Sequence, residues 1–124
     1  MTDNQQIEAL LAEYFDGLYQ ADAAKLAKVF HPNAYYSCTT GGELLHLSMQ
    51  QYFNNVRQRT SPASLGQERK DKIIVIDLVG ESTALAKVQC QILPRSFTDF
   101  LSLLKIDGRW QIISKVFHYT EINT

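Results

Sequence analysis

No apolar run in these 124 residues approaches the length that a bilayer-spanning helix needs. The start, Met1 to Glu8, also lacks the basic segment followed by an apolar stretch that marks a secretory signal. A cytoplasmic protein with no membrane contact is the expectation. Histidine is scarce: His31, His46 and His118 stand at unrelated positions, with neither helical i, i+4 nor Cys/His ligand spacing, so no metal is expected. Glycines pair once, at Gly41-Gly42, between two strand-like runs rather than between a strand and a helix. That is no phosphate-cradling loop, and no cofactor is expected. Excess charge of one sign is missing as well, since 12 basic and 13 acidic side chains leave a net charge of −1. Nothing there would gather nucleic acid. The basic residues that do cluster, Arg57, Arg59, Arg69, Lys70 and Lys72, flank a Ser/Pro/Gly loop beside Glu68 and Asp71 and read as a solvated loop. Cys38 and Cys90 lie far apart in sequence, each inside a strand-like run, and read as reduced core thiols.

What the chain does have is a strong hairpin signal. Asp107-Gly108 separates two strand-like runs within Phe97 to Tyr119, and both residues accept the positive φ of a tight turn. A two-residue loop pairs Ile106 with Arg109, Lys105 with Trp110 and, carried straight onward, Phe97 with His118. Side-chain alternation then predicts one inward face of Phe97, Asp99, Leu101, Leu103, Trp110, Ile112, Ser114, Val116 and His118. It leaves Phe100, Leu104, Ile106, Ile113, Phe117 and Tyr119 on the outer face.

Upstream, Ile7, Leu10, Leu11, Tyr14, Phe15, Leu18 and Tyr19 follow helical spacing from a start near Asp3 or Asn4. Asp22 caps a second predicted helix with Leu26, Val29 and Phe30 inward, stopped by Pro32. A strand over Ala34 to Thr40 follows, then a Gly-Gly turn and a short return strand over Glu43 to Leu47. Ser48 with Gln51 opens a third helix carrying Met49, Tyr52, Phe53 and Val56 inward. The stretch from Arg57 to Asp71 is the longest without periodicity. Lys72 to Val79 and Thr83 to Leu93 complete a meander with the hairpin. Helices gathered on one side of a curved antiparallel, or mixed, sheet make a single α+β domain over residues 1–124.

At this point the chain resembles the nuclear-transport-factor-2-like superfamily and, within it, the branch named putative lumazine-binding proteins. The residues that carry the likeness run from Tyr14-Phe15-Asp16-Gly17-Leu18-Tyr19 through Phe30-His31-Pro32-Asn33-Ala34 and Ser61-Pro62-Ala63. They continue through Ala86-Lys87-Val88 and Phe97-Thr98-Asp99-Phe100-Leu101 to Lys105-Ile106-Asp107-Gly108-Arg109-Trp110 and Lys115-Val116-Phe117-His118. The resemblance implies a cone of cystatin-like fold, with an internal pocket at its wide end and a homodimer formed through the outer sheet face. The superfamily holds isomerases, dehydratases, cyclases and pure binding modules. Aligned without gaps to the ketosteroid isomerases, their tyrosine falls at Tyr14, their base at Cys38 and their second acid near Ser102 or Leu103, so two of three catalytic groups are missing.

The chemical candidates follow from the proposed register. Asp99 and His118 become same-face diagonal neighbours, either a proton-transfer pair or a buried structural pair. Tyr14 directs its hydroxyl into the cone, as a donor to a ligand oxygen or as a core tyrosine. With Leu18, Tyr36, Cys38, Tyr52, Phe53 and Ser114 these residues would line a pocket for a small hydrophobic or aromatic molecule. His31 is assigned to the carbonyls ending the second helix, and His46 receives no role. Binding without chemistry and cofactor-independent proton transfer by Tyr14, Asp99 and His118 are the two functional expectations.

Overall fold

The computed structural model describes residues 1–122. Helix α1 (Asp3–Gln20) opens with a capping box in which the Thr2 hydroxyl accepts from the Gln5 amide while the Gln5 side chain accepts from the Thr2 amide. It ends at Ala21, whose φ of 50° turns the chain into α2 (Ala23–Val29), capped by Asp22. The two helices meet closely at Gly17, where a Cβ would stand 2.7 Å from a methyl of Leu26. Any larger residue there would push the helices apart.

Six strands form one sheet in the order β2-β1-β6-β5-β4-β3. They are β1 (Phe30–Cys38), β2 (Leu45–Ser48), β3 (Lys72–Val79), β4 (Thr83–Ile92), β5 (Arg95–Ile106) and β6 (Arg109–Glu121), with α3 (Met49–Arg57) between β2 and β3. Only β1 and β6 run parallel, so the sheet is mixed. Phe30, expected as the inward end of the second helix, instead begins β1 and pairs with Ile112. Pairing then lapses until Tyr35. Pro32 stands in that gap, and a residue with no amide proton cannot donate to a ladder.

The core fills the space between the helices and the concave face of the sheet: Ile7, Leu11 and Tyr14 of α1 and Leu26 of α2 meet Ala86, Val88, Leu101 and Ile112. The loop between α3 and β3 is tied back to α1. Tyr19 donates to the Gln67 carbonyl at 2.6 Å, its own carbonyl accepts from the Ala63 amide at 3.0 Å, and Arg69 reaches Asp16 at 2.6 Å.

The hairpin turn pairs Ile106 with Arg109 and Lys105 with Trp110, as the Asp-Gly signal predicts. Farther from the turn the straight register fails. Leu103 pairs with Ile112 but Ser102 pairs with Ser114, so Ile113 is an extra residue in β6, a β-bulge. Every β6 side chain beyond it changes face. Lys115 and Phe117 are buried and Tyr119 packs on the core, while Val116 and His118 are exposed and Ser114 is half-buried on the outer face. The expectation that Ser114, Val116 and His118 face inward, and Phe117 and Tyr119 outward, is corrected accordingly. Physically, the bulge exchanges Val116, His118 and Thr120 for Phe117 and Tyr119 on the core side. The two aromatic rings have far more apolar area to withdraw from water.

Candidate functional site

Three elements deliver polar side chains to one point inside the cone. Tyr14 sits on the buried face of α1, Asp99 points inward from β5, and Lys115 is turned inward by the bulge in β6. The Tyr14 hydroxyl donates to Asp99 Oδ2 at 2.6 Å, and the Lys115 ammonium stands 3.9 Å from the same oxygen. Asp99 has no solvent exposure and Lys115 keeps 5% of its side chain accessible. Around the ammonium stand four aromatic rings, with centroids at 5.2 Å for Tyr14, 5.0 Å for Tyr36, 5.6 Å for Tyr52 and 5.2 Å for Phe117. The Tyr36 and Tyr52 rings stack on each other at 4.3 Å.

Two fully buried oxygen atoms in this cluster have no hydrogen-bond partner, Asp99 Oδ1 and that of the Tyr52 hydroxyl. Burial dominates the electrostatics. It pushes the Tyr14 phenol well above its ordinary range, helped by the neighbouring Asp99 charge, and raises the Tyr52 phenol too. It also pushes the Cys90 thiol up to about 12, again with help from Asp99. For Lys115 burial is the largest single influence and pulls downward. The Asp99 carboxylate, with Tyr52, Tyr36 and Cys90 adding to it, outweighs that pull and leaves the amine raised, hence cationic.

Directly above this cluster, at the wide end of the cone, lies a cavity of about 680 Å³. Tyr36, Cys38, Phe97, Phe117 and Tyr119 supply its inner wall, and Arg59, Arg95, Glu43 and Glu121 charge its rim. Arg95 is held there by Glu121 at 3.3 Å and lies 4.2 Å over the Tyr119 ring. Tyr36 and Phe117 belong to both places, forming cavity wall on one side and lysine cage on the other.

Of the residues singled out from sequence, Tyr14, Asp99, Tyr36 and Tyr52 come together, and Tyr36 and Cys38 line the cavity. Leu18 and Tyr52 are buried and Phe53 is half-buried, packed beside the cluster rather than on the cavity wall. His118 does not join: it is exposed, with Nδ1 3.0 Å from the Thr40 hydroxyl, so the expected Asp99–His118 pair does not form. Ser114 pairs with Tyr35 and Ser102 on the other side of the sheet. His31 accepts from the Asn33 amide instead of capping α2, and His46 stacks on Tyr35 at 4.4 Å. A carboxylate does accompany the helix tyrosine after all, at Asp99 rather than near Ser102 or Leu103. Among the described residues no group of three or more His, Cys, Asp or Glu is placed to hold a metal ion, and no helix is long and apolar enough to cross a membrane.

Lys115 is the residue that reading by sequence missed. The signal was present: Trp110 and Ile112 are large apolar residues on even positions of β6, and Phe117 and Tyr119 on odd ones. Two apolar sets of opposite parity in one strand require a bulge between them.

The geometry agrees with what similarity shows. Residues 2–118 match the family described as "Putative lumazine-binding". The chain belongs to that family. It is 32% identical over 107 residues to a Cladobotryum protein named Aldolase FrzH, covering 85% of this chain and 82% of that one. In structure it is similar to an NTF2-like protein from Shewanella baltica, with a TM-score of 0.83 and 29% identity over 97% of this chain and 98% of the other. A second NTF2-like protein, from Silicibacter pomeroyi, superposes with a TM-score of 0.81 and 24% identity over 97% and 100% of the two chains. Nuclear-transport-factor-2-like architecture, with cystatin-like and ketosteroid isomerase-like neighbours, is thus the fold of this lumazine-binding family member.

Proposed function

We propose that this protein binds a small hydrophobic or aromatic molecule in the cavity at the wide end of the cone. The observation that carries the reading is the cavity itself: about 680 Å³, walled by Tyr36, Phe97, Phe117 and Tyr119 and rimmed by charge. Its size falls inside the range of about 300–1,000 Å³ usual for small-molecule sites, which are mostly apolar with a few polar points. The test is direct. A neutral aromatic fluorophore, N-phenyl-1-naphthylamine, should bind the wild-type protein, and Cys38→Phe, which fills the cavity from its wall, should weaken that binding at least tenfold. Unchanged binding in the filled variant would place the ligand elsewhere.

A second reading is a cofactor-independent enzyme of the isomerase, dehydratase or cyclase kind. It is favoured by the unpartnered Asp99 Oδ1 beside Tyr14 and Lys115, and by a relative whose name is aldolase. Asp99 would move a proton and Tyr14 and Lys115 would steady the oxygen on which charge develops. His118 has no part in this version. Turnover of an enolisable aromatic ketone, followed by loss of its α-deuterium, would separate the two readings.

The assembly proposed is a cytoplasmic homodimer through the outer sheet face. Val75, Val79, Leu85, Phe100 and Val116 are exposed there, and a contiguous apolar face of that extent is rarely left to water.

A further inference from the structure

We infer that Lys115 is the point at which the cavity ligand is recognised, and that the ligand presents an oxygen bearing negative charge, a phenolate, enolate or carboxylate, to its ammonium past the rings of Tyr36 and Phe117. This deepens the cavity reading and rests on it.

The argument begins with what the ammonium lacks. Three N–H groups must be satisfied, yet the carboxylate oxygen nearest to them lies 3.9 Å away, beyond hydrogen-bond reach. Four aromatic faces attract the charge but accept no hydrogen bond of ordinary strength. A buried ion pair is stable only when good geometry and further hydrogen bonds repay its desolvation; here the separation is long and the one further bond, from the Tyr14 hydroxyl, serves Asp99 and not the lysine. The Tyr52 hydroxyl is likewise fully buried and unpartnered. Two donors, the ammonium and the Tyr52 hydroxyl, and one acceptor, Asp99 Oδ1, are therefore held in one place without hydrogen bonds, and incomplete satisfaction of that kind marks sites where a ligand completes the network. The direction of approach is also given. Two of the cage rings, Tyr36 and Phe117, are cavity wall, so the ammonium lies one ring's width behind the surface a bound aromatic would touch. The Tyr36 and Phe117 rings stand 4.5 Å apart, centroid to centroid, with no room for a third ring between them. A bound aromatic lies against their cavity side, and a turn of either ring lets its oxygen reach Lys115, where a charge-assisted hydrogen bond is strong because water is excluded.

The groups facing Lys115 are Tyr14 from α1, Tyr52 from α3, Tyr36 from β1, Cys90 from β4 and Asp99 from β5; the other cations near the cavity are Arg59 and Arg95 at its rim. A chromogenic phenol, 4-nitrophenol, tests the inference, because its absorbance reports its own ionisation. Bound to the wild type its pKa should fall by about one unit or more, as expected for an acid placed beside an opposite charge. Lys115→Met should abolish the fall. Because that variant strands Asp99, the double variant K115M/D99N, which removes both charges together, provides a folded control and should show no fall either. Arg59→Gln and Arg95→Gln should each leave the fall intact. A fall that persists in both Lys115 variants, or that disappears in either arginine variant, overturns the inference. Wild-type protein that binds both probes without any fall overturns it too, leaving the cavity reading standing. Failure of the wild type to bind either probe would overturn the cavity reading and the inference together.

Discussion

The two halves of β6 obey different rules although they belong to one strand. Between the turn and Ile112, alternation read from sequence holds: Trp110 and Ile112 face the helices, and the Trp110 indole donates to Asp3 Oδ1 at 3.1 Å. Beyond Ile113 the same alternation is inverted, and the inward side chains are Lys115, Phe117 and Tyr119. The near half is an ordinary apolar core with a polar cap. The far half contains a buried cation, a carboxylate and a ring of tyrosines below a cavity. One extra residue separates structure from candidate function, and it does so by choosing which side chains the cone contains.

The comparison is broken most severely by removing the large inward residues of either half. Trp110→Ala should cost about 3–5 kcal/mol, the range for deleting a large buried aromatic, and Phe117→Ala should fall in the same range. His118→Ala, one position farther on but outside, should stay within about 0.5 kcal/mol of wild type. Urea denaturation of the three variants reads this directly. Equal losses for Phe117→Ala and His118→Ala would mean that β6 is not bulged as described.

Next in size is the charge pair of the far half. Removing one partner of a buried pair strands the other, so Lys115→Met should cost about 3 kcal/mol. K115M/D99N should recover most of that loss, because no uncompensated charge is left behind. If the double variant were less stable than the single one, the pair would be contributing net stability, and the view of Lys115 as an incompletely satisfied group would lose its footing.

Most of the fold was legible because its signals are local. The capping box at Ser48, the Asp22 cap and the Asp107-Gly108 turn each fix an element from neighbours a few residues away. The alternation of Ala84, Ala86, Val88 and Cys90 on β4 needs only its own strand. Tyr14 and Asp99 were legible as inward polar residues for the same reason: each is placed by the periodicity of its own element, α1 or β5, and the extra residue lies in β6. Lys115 was not. Its placement depends on a comparison of two register choices over the whole far half of β6, in which Phe117 and Tyr119 together outweigh Val116 and His118. A lysine viewed alone belongs outside, and only the aromatic residues two and four positions on argue otherwise. The straight register carried its own warning: an outer face of Phe100, Leu104, Ile106, Ile113, Phe117 and Tyr119 is richer in large apolar groups than a solvated face should be.

The smallest effect expected is on the alkaline limb of stability, and it sharpens the comparison because every group involved belongs to the far half. In the unfolded chain a cysteine thiol titrates near about 8.5, whereas Cys90 in the folded protein is pushed up to about 12. The unfolded state therefore loses this proton first. The stability tied to the protonated thiol is fully present below the unfolded value and declines as pH rises from there towards the folded one. Tyr14, Tyr52 and Lys115 are shifted in the same direction, from unfolded values of about 10 for the tyrosines and about 10.4 for the lysine. Their contributions are constant through neutral pH and begin to fade about 1.5 to 2 units later than that of Cys90. Wild-type protein should thus lose about 1.4 kcal/mol one unit above the unfolded thiol value, before the tyrosines contribute strongly. Cys90→Ala removes a core group and will be less stable throughout, but the onset of its alkaline decline should move up by about 1.5 pH units. Unfolding free energies measured in urea from pH 8 to about pH 10.5 provide the test. An onset at the same pH in both proteins would show that Cys90 is not held protonated beside Asp99, and that the far half of the cone is wetter than its packing indicates.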